Sequence, residues 1–228
     1  MIACYEDDGY FEGGAAGYDS YGEQATSLRA TFDRLLRSMA ERGLARGRLL
    51  DIGCGYGFFL QAAAPFFEFR AGTELSARAA EIARARADEV CLGSLDAVPP
   101  DWRFDCVVAL HVVEHVYEPV PFLRRVRDLL TPDGAIIVAV PNMGGVWRKS
   151  MGRRWPSFKF PEHVAYYDAR TLAELLRAAG FQRIEGVPYP HAFPLGLILR
   201  KLKLPALRAL AGQNVWLPGT TVAMAARP

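Results

Sequence analysis

The sequence predicts an α/β fold built on a doubly wound, mostly parallel sheet, and three observations predict it. From Arg48 onward, short apolar runs alternate with segments whose apolar residues recur at helical spacing, the pattern of successive strand–helix–strand units. The first run, RLLDIG (48–53), leads directly into a glycine-rich turn. The fourth, FDCVVALHV (104–112), is apolar almost throughout, as a strand covered on both faces must be. With 228 residues, 51% of them hydrophobic, the chain can bury a full core, and we expect one domain over 1–228.

Taken in order, residues 1–24 are rich in Gly, Tyr and acids, whereas SLRATFDRLLRSMAER (27–42) carries the periodicity of a helix. After the 48–53 strand a helix is expected from about Tyr56 to Ala64, then a strand at 67–75 and a helix at 76–87. EVCLG (89–93) reads as a short third strand, and the fourth is followed by a helix at 119–130 that TPDG ends as a turn. AIIVAVP (135–141) is the fifth strand, before a loop-rich stretch at 142–167. TLAELLRAAG (171–180) is a helix with Asp168 or Thr171 as its N-cap and Gly180 at its C-terminus. FQRIEGVPY (181–189) and TTVAMAAR (220–227) complete seven strands, with an unusual segment at 190–217 between them.

Composition narrows the function classes. A net charge of +2, from 27 scattered basic residues against 25 acids, gives no footprint for nucleic acid. No targeting segment and no apolar run of the ~18 residues that cross a bilayer is present, so we expect a cytoplasmic protein without stable membrane insertion. Cys4, Cys54, Cys91 and Cys106 form no CxxC pair and read as reduced packing thiols.

The chemistry concentrates at the turn after the first strand. In an open α/β sheet that turn lies at the carboxyl ends of the strands, where ligands bind. Gly53, Gly55 and Gly57 have the spacing GxGxG rather than GxGxxG, with Phe58 where the third dinucleotide glycine would stand, which fits a nucleoside better than a pyrophosphate. Glu74 closes the second strand, where a carboxylate can accept bonds from both hydroxyls of a ribose. Asp51, inside the first strand, needs loop amides or a cation as partner if it is buried.

LLDIGCGYG (49–57) and GTELS (72–76) resemble the class I S-adenosylmethionine-dependent methyltransferases. ALHVVEHVYEP (109–119), LLTPDGAIIVAVPN (129–142) and PEHVAYYDARTLAELLRAAGF (161–181) resemble the branch holding ubiquinone-biosynthesis O-methyltransferases and many natural-product methyltransferases. The resemblance covers about 45–187 and implies a Rossmann-like sheet of seven strands with an antiparallel final strand, S-adenosyl-L-methionine as cofactor, and a small-molecule methyl acceptor, with oxygen the expected acceptor atom. By the same resemblance, Gly53, Cys54, Gly55 and Gly57 would line methionine and ribose. Asp51 would steady the loop and the amino group, Glu74 would hold the ribose, and Leu75 would pack on adenine. In GSLD (93–96), Ser94 stands where the family has an acid, leaving Asp96 or the backbone at Ser94 and Leu95 to read adenine. Ala109, Leu110 and His111 would pass beneath the sulfonium. Residues 1–26, with Tyr18 and Tyr21, would form an N-terminal lid, 45–141 the cofactor-binding core, and 142–170 and 190–217 substrate-facing insertions.

Methyl transfer to a hydroxyl needs alignment, water exclusion and a base. His111, His115 and His163 are the candidate bases, since imidazole titrates near ~6.5, while His191 reads as incidental. His111, Glu114, His115 and His163 could instead gather a divalent metal, as in some relatives, but the nitrogen-rich set suits magnesium poorly and we expect none. GGVWRKSMGRRWPSFKF (144–160) mixes aromatic and basic residues, and reads either as an acceptor-contacting segment or as a surface loop anchored by its tryptophans. Segment 191–210 interleaves leucines with bases, which suggests an amphipathic cap, a dimer contact or membrane-surface association, and a lid over the acceptor is the preferred reading. A monomer or homodimer is expected. Two alternatives remain: a nicotinamide-dependent oxidoreductase, because a glycine turn with a downstream acid serves both cofactors, and a binding protein that kept the fold without turnover.

Overall fold

The computed structural model describes residues 25–195, 199 and 213–228. Nine strands are present among them: β1 (Arg48–Ile52), β2 (Phe69–Glu74), β3 (Glu89–Leu92), β4 (Phe104–Leu110), β5 (Leu130–Pro141), β6 (Arg183–Gly186), β7 (His191–Pro194), β8 (Asn214–Leu217) and β9 (Thr221–Arg227). Seven form one sheet in the order β3-β2-β1-β4-β5-β9-β6. The pairings from β3 across to β5 are parallel, and β9 runs antiparallel to both β5 and β6. The expected Rossmann-like sheet with an antiparallel final strand is thus the observed one. Strand order reverses between β1 and β4, which opens a crevice outside their carboxyl ends.

Six helices accompany the strands: α1 (Ala25–Glu41), α2 (Phe58–Ala62), α3 (Ala77–Arg84), α4 (Pro119–Asp128), α5 (Val146–Met151) and α6 (Ala169–Ala178). Alternate residues of a strand face opposite sides. Leu49, Cys106, Val108 and Ile137 therefore pack under α1, α2 and α3, while Leu50, Val107, Ile136 and Val138 pack under α4 and α6. Both faces of the central strands are dry, which is why their sequences read as unbroken apolar runs.

Three features differ from the sequence expectation. TPDG is not a terminating turn but part of β5, which pairs Leu130 with Phe104 and then shifts register before Ala135 meets Cys106. The irregularity absorbs the turn-forming residues inside the strand. The loop-rich stretch contains α5 and a 3₁₀ turn at Gly152–Arg154. The described part of 190–217 includes a two-stranded antiparallel sheet, β7 with β8. That sheet sits on α1: the Ala192 amide donates to Thr31 Oγ1 at 2.9 Å, Ser27 Oγ to Asn214 Oδ1 at 2.5 Å, and Arg34 lies 4.4 Å over the Trp216 ring. The lid expected at 1–26, with Tyr18 and Tyr21, lies outside the described residues except for its last two positions, as does most of the 191–210 cap.

The start of α6 is set by a reciprocal capping box. Asp168 Oδ1 accepts from the Thr171 amide at 2.8 Å, and Thr171 Oγ1 accepts from the Asp168 amide at 2.9 Å. Of the two expected caps, Asp168 holds the N-cap position and Thr171 the third helical one. Replacing Asp168 by Ala is expected to cost ~1 kcal/mol, a fall in Tm of roughly 2–4 °C for a chain of this size, measurable by calorimetry. An unchanged Tm would mean the box contributes nothing net.

Candidate active site

The turn between β1 and α2 is held by β2. The amides of Gly53 and Cys54 both donate to the Thr73 carbonyl at 2.9 Å. The Gly55 amide donates to Glu74 Oε2 at 2.8 Å, and the amides of Leu75 and Ser76 donate to Glu74 Oε1 at 2.8 and 2.9 Å. Gly55 adopts φ +53°, a left-handed conformation that glycine reaches without strain and that aims its amide at the carboxylate. Gly57, at φ +74°, has a different role: a Cβ there would come within 3.2 Å of Ala83, so this glycine lets α2 close on α3.

Asp51 and Glu74, on neighbouring parallel strands, are both buried. Burial, and then the nearby Glu74 charge, push the Asp51 carboxyl well above its ordinary range. Burial also raises Glu74, against the opposing effect of the three amides. None of the hydrogen bonds among the described residues reaches the Asp51 carboxylate. The loop amides it was expected to hold go to Thr73 and Glu74 instead, so of its two expected kinds of partner only the cation is left. The site therefore presents two buried acids with no cationic side chain among the described residues beside them.

Several expected contacts are corrected by side-chain direction. Cys54 is buried against Gly72 of β2, so only its backbone borders the crevice. Leu95 and Ala109 are buried in the α4–α6 layer, which likewise leaves only their main chains available. Ser94 and Asp96 are exposed, and Ser94 Oγ accepts from the Asp96 amide as the cap of a short 3₁₀ turn. Leu75 is half-buried, and Leu92, which pairs with Glu74 in the sheet, is an exposed apolar side chain at the same rim.

Beyond β4 the chain turns through His111, which has φ +59°, and its amide donates to the Ala139 carbonyl at 2.8 Å. A non-glycine residue held there stores about 1–2 kcal/mol of backbone strain. The turn brings His111 Nδ1 within 3.3 Å of Glu114 Oε1. Burial pushes the Glu114 carboxyl up, but His111 and His115 outweigh it and the net shift is downward. Glu114 is thus a buried carboxylate facing an imidazole whose Nε2 is itself buried without a hydrogen-bond partner.

His115 and His163 pack edge to face with ring centres 4.7 Å apart. His115 Nδ1 lies 2.9 Å from the Glu162 carbonyl and His163 Nδ1 2.8 Å from that of Ser157. Glu114, His115 and His163 each bring a ligand atom within 4.8 Å of the others, a donor set of the type that takes zinc or iron rather than magnesium. Of the four residues that the sequence offered as a possible ligand set, these three converge and His111 is not among them.

His191, read from sequence as incidental, is brought to the site by β7. Its ring lies 6.1 Å from that of His111 and stacks on Phe193 at 4.3 Å. Tyr189 completes the group at 6.0 Å from His111. Tyr189, His191 and Phe193 form an aromatic wall opposite the end of β4. Their alternation along PYPHAFP is the only sequence signal that could have shown it.

The family model described as a methyltransferase domain matches residues 21–185. The chain is 31% identical over 147 residues to a ubiquinone biosynthesis O-methyltransferase of Bradyrhizobium diazoefficiens, a match covering 62% of this chain and 53% of that protein. It is 33% identical over 176 residues to the protein of the same name from Cereibacter sphaeroides, covering 69% and 68%. The chain thus spans about half the length of the first of these curated relatives. Among solved structures, a methyltransferase of Thermotoga maritima described as a possible histamine N-methyltransferase aligns with a TM-score of 0.64 at 21% identity, over 91% of this chain and 93% of that one. A SAM-dependent methyltransferase from Archaeoglobus fulgidus aligns with a TM-score of 0.64 at 20% identity, over 91% and 99%. At these identities the two structures establish the fold.

Burial lowers the imidazoles of His115, His163 and His191, the second to about 4 and the third to about 3. Each therefore binds its proton more weakly in the folded chain than in the unfolded one, where imidazole titrates near ~6.5. The stability they contribute is present above that pH and is lost as the pH falls toward the folded values. Urea midpoints should decline between pH ~7 and ~5, and less steeply in His163→Asn. Parallel declines in the two proteins would place the responsible protonation elsewhere.

Proposed function

Because the chain belongs to the methyltransferase-domain family, we propose that it transfers a methyl group from S-adenosyl-L-methionine to a hydroxyl of a small-molecule acceptor. The observation that carries this reading is the pair of buried acids, Asp51 and Glu74, at the carboxyl ends of β1 and β2 with no cationic side chain among the described residues beside them. A ligand bearing an ammonium and a sulfonium relieves that charge. A nicotinamide dinucleotide would bring a pyrophosphate to the same place and aggravate it, which argues against the oxidoreductase reading.

In this reading the Gly53–Gly57 turn passes close to the methionine part of the donor. Glu74, whose oxygens keep one acceptor site beyond three amides, takes a ribose hydroxyl. Leu75 and the exposed Leu92 flank the adenine, with the Ser94–Asp96 backbone at its edge. When bound, the donor supplies an electrophilic methyl carbon on a positively charged sulfur. With that methyl carbon as the electrophile and the sulfur as its leaving group, His111 Nε2 would receive the proton of the acceptor hydroxyl. Glu114 orients His111 through Nδ1 and stabilises the imidazolium that forms, and the 3.3 Å separation is of the length common before substrate closes a site. The aromatic wall of β7 shields this proton transfer from water. Oxygen as acceptor atom is supported by the names of the relatives, and all of 1–228 is read as one methyltransferase unit.

S-adenosylhomocysteine at 100 times its Kd should stabilise the protein by about 2.7 kcal/mol, with no effect of NAD. Stabilisation by NAD alone would overturn the proposal. Glu74→Ala should weaken binding of S-adenosylhomocysteine by roughly 1.5–3 kcal/mol in isothermal titration; unchanged affinity would remove Glu74 from the site. His111→Gln should retain that affinity while methyl transfer to a panel of hydroxylated aromatics falls about 10²–10⁴-fold. Full turnover in that variant would assign the base elsewhere.

A further inference from the structure

We propose that His191, together with Tyr189, is a positioning residue for His111: the two rings set the plane of that imidazole and so aim its Nε2 at the acceptor hydroxyl. The inference rests on the reading of His111 as the base. The three rings form a closed triangle. Ring centres lie 6.0 Å apart for His111 and Tyr189, 6.1 Å for His111 and His191, and 6.1 Å for Tyr189 and His191, and the planes cross at 74°, 61° and 62°. Each pair is edge to face, an arrangement that rings favour at such separations. Glu114 alone holds the His111 plane loosely. Its Oε1 lies 3.3 Å from Nδ1, beyond the ~2.7–2.9 Å of a charge-assisted bond, and Nε2 is buried without a hydrogen-bond partner. A rotation of the imidazole would break no short hydrogen bond, and the two neighbouring rings oppose it.

The sequence delivers the two rings as a pair. Tyr189 precedes Pro190, which favours an extended backbone there, and residues two apart in an extended chain project to one side. Phe193 follows in the same alternation and stacks on His191 with centres 4.3 Å apart and planes 16° from parallel. Ala192 lies between them and is buried. Its amide donates to Thr31 Oγ1 at 2.9 Å, and that hydroxyl donates in turn to the Ser27 carbonyl at 2.9 Å. On its other flank β7 is paired with β8, Ala192 opposite Trp216. The ring triangle is therefore anchored to α1 and β8 rather than to the mobile acceptor. Among the described residues the His191 nitrogens hold no hydrogen bond, so its contribution to His111 is the ring itself. Burial lowers its imidazole to about 3, which leaves the ring uncharged beside the imidazolium that His111 would become.

The test pairs a spectroscopic readout with kinetics on the full chain. In nitrogen-15 spectra of the histidine rings with S-adenosylhomocysteine bound, His111, assigned by its loss in His111→Gln, should show one tautomer with the proton on Nδ1. His191→Leu should average its two tautomers, and His191→Phe should restore the single one. With the hydroxylated aromatic that the parent methylates fastest as probe, His191→Leu should lower kcat about 10–100-fold at unchanged KM, the scale of a misplacement of about 1 Å. His191→Phe should recover most of that loss, and Thr31→Val, which takes the acceptor from the Ala192 amide, should reproduce part of it. Thermal stabilisation by S-adenosylhomocysteine should persist in all variants, which checks folding independently. Unchanged His111 signals in His191→Leu overturn the proposal. So does a raised KM at parent kcat, which would make His191 an acceptor contact, or recovery by His191→Gln but not by His191→Phe, which would make it a hydrogen-bonding group. Averaged tautomers in His191→Leu with full turnover in His111→Gln would instead overturn the reading of His111 as the base.

Discussion

Much of the candidate site depends on one carboxylate. Glu74 accepts amides from Gly55 on one side and from Leu75 and Ser76 on the other, so a single side chain ties the glycine turn of β1 to the start of α3. Bonds to a charged acceptor are worth more than neutral ones, and here they are shielded from water. The Thr73 carbonyl, next to it in β2, takes the amides of Gly53 and Cys54. Two adjacent residues thus satisfy five backbone amides, three in the turn after β1 and two in the turn after β2. The cost is a second buried acid beside Glu74, because Asp51 shares none of these amides and meets no cation among the described residues.

The other half of the crevice is built on the opposite electrical principle. His115, His163 and His191 are held neutral by burial, and the buried charge among them belongs to Glu114. An acid-lined floor suited to a cation therefore meets a wall of neutral imidazoles that hold a proton only weakly. Beside them His111, strained at the end of β4, faces both Glu114 and the rings of Tyr189 and His191.

What was legible in the sequence follows from the range of the interactions involved. The strands and the glycine turn announce themselves because burial on both faces demands unbroken apolar runs and because LLDIGCGYG is a local pattern. Asp168 and Thr171 were readable for the same reason, since capping acts over three residues. Side-chain direction was less accessible: Cys54, Leu95 and Ala109 sit in site segments yet point into the layers, which depends on strand register and helix packing. His191 was missed because its placement rests on an amide bonded to Thr31, 161 residues away, and no local spacing encodes such a contact. TPDG misled because a bulge, fixed by the pairing of β5 with β4, overrode the turn preference of its residues.

The position of β9 bears on how the chain acquires its structure. It is the last described strand in chain order, yet it lies inside the sheet, bonded to β5 on one side and β6 on the other. During synthesis, the β1–β5 half can assemble with its glycine turn while Val138, Ala139 and Val140 still present an open, wholly apolar edge. Such an edge templates pairing with any other extended chain until it is covered. The glycine-turn half of the crevice can thus form before its neighbouring edge is covered, and in that interval the edge is open to wrong partners.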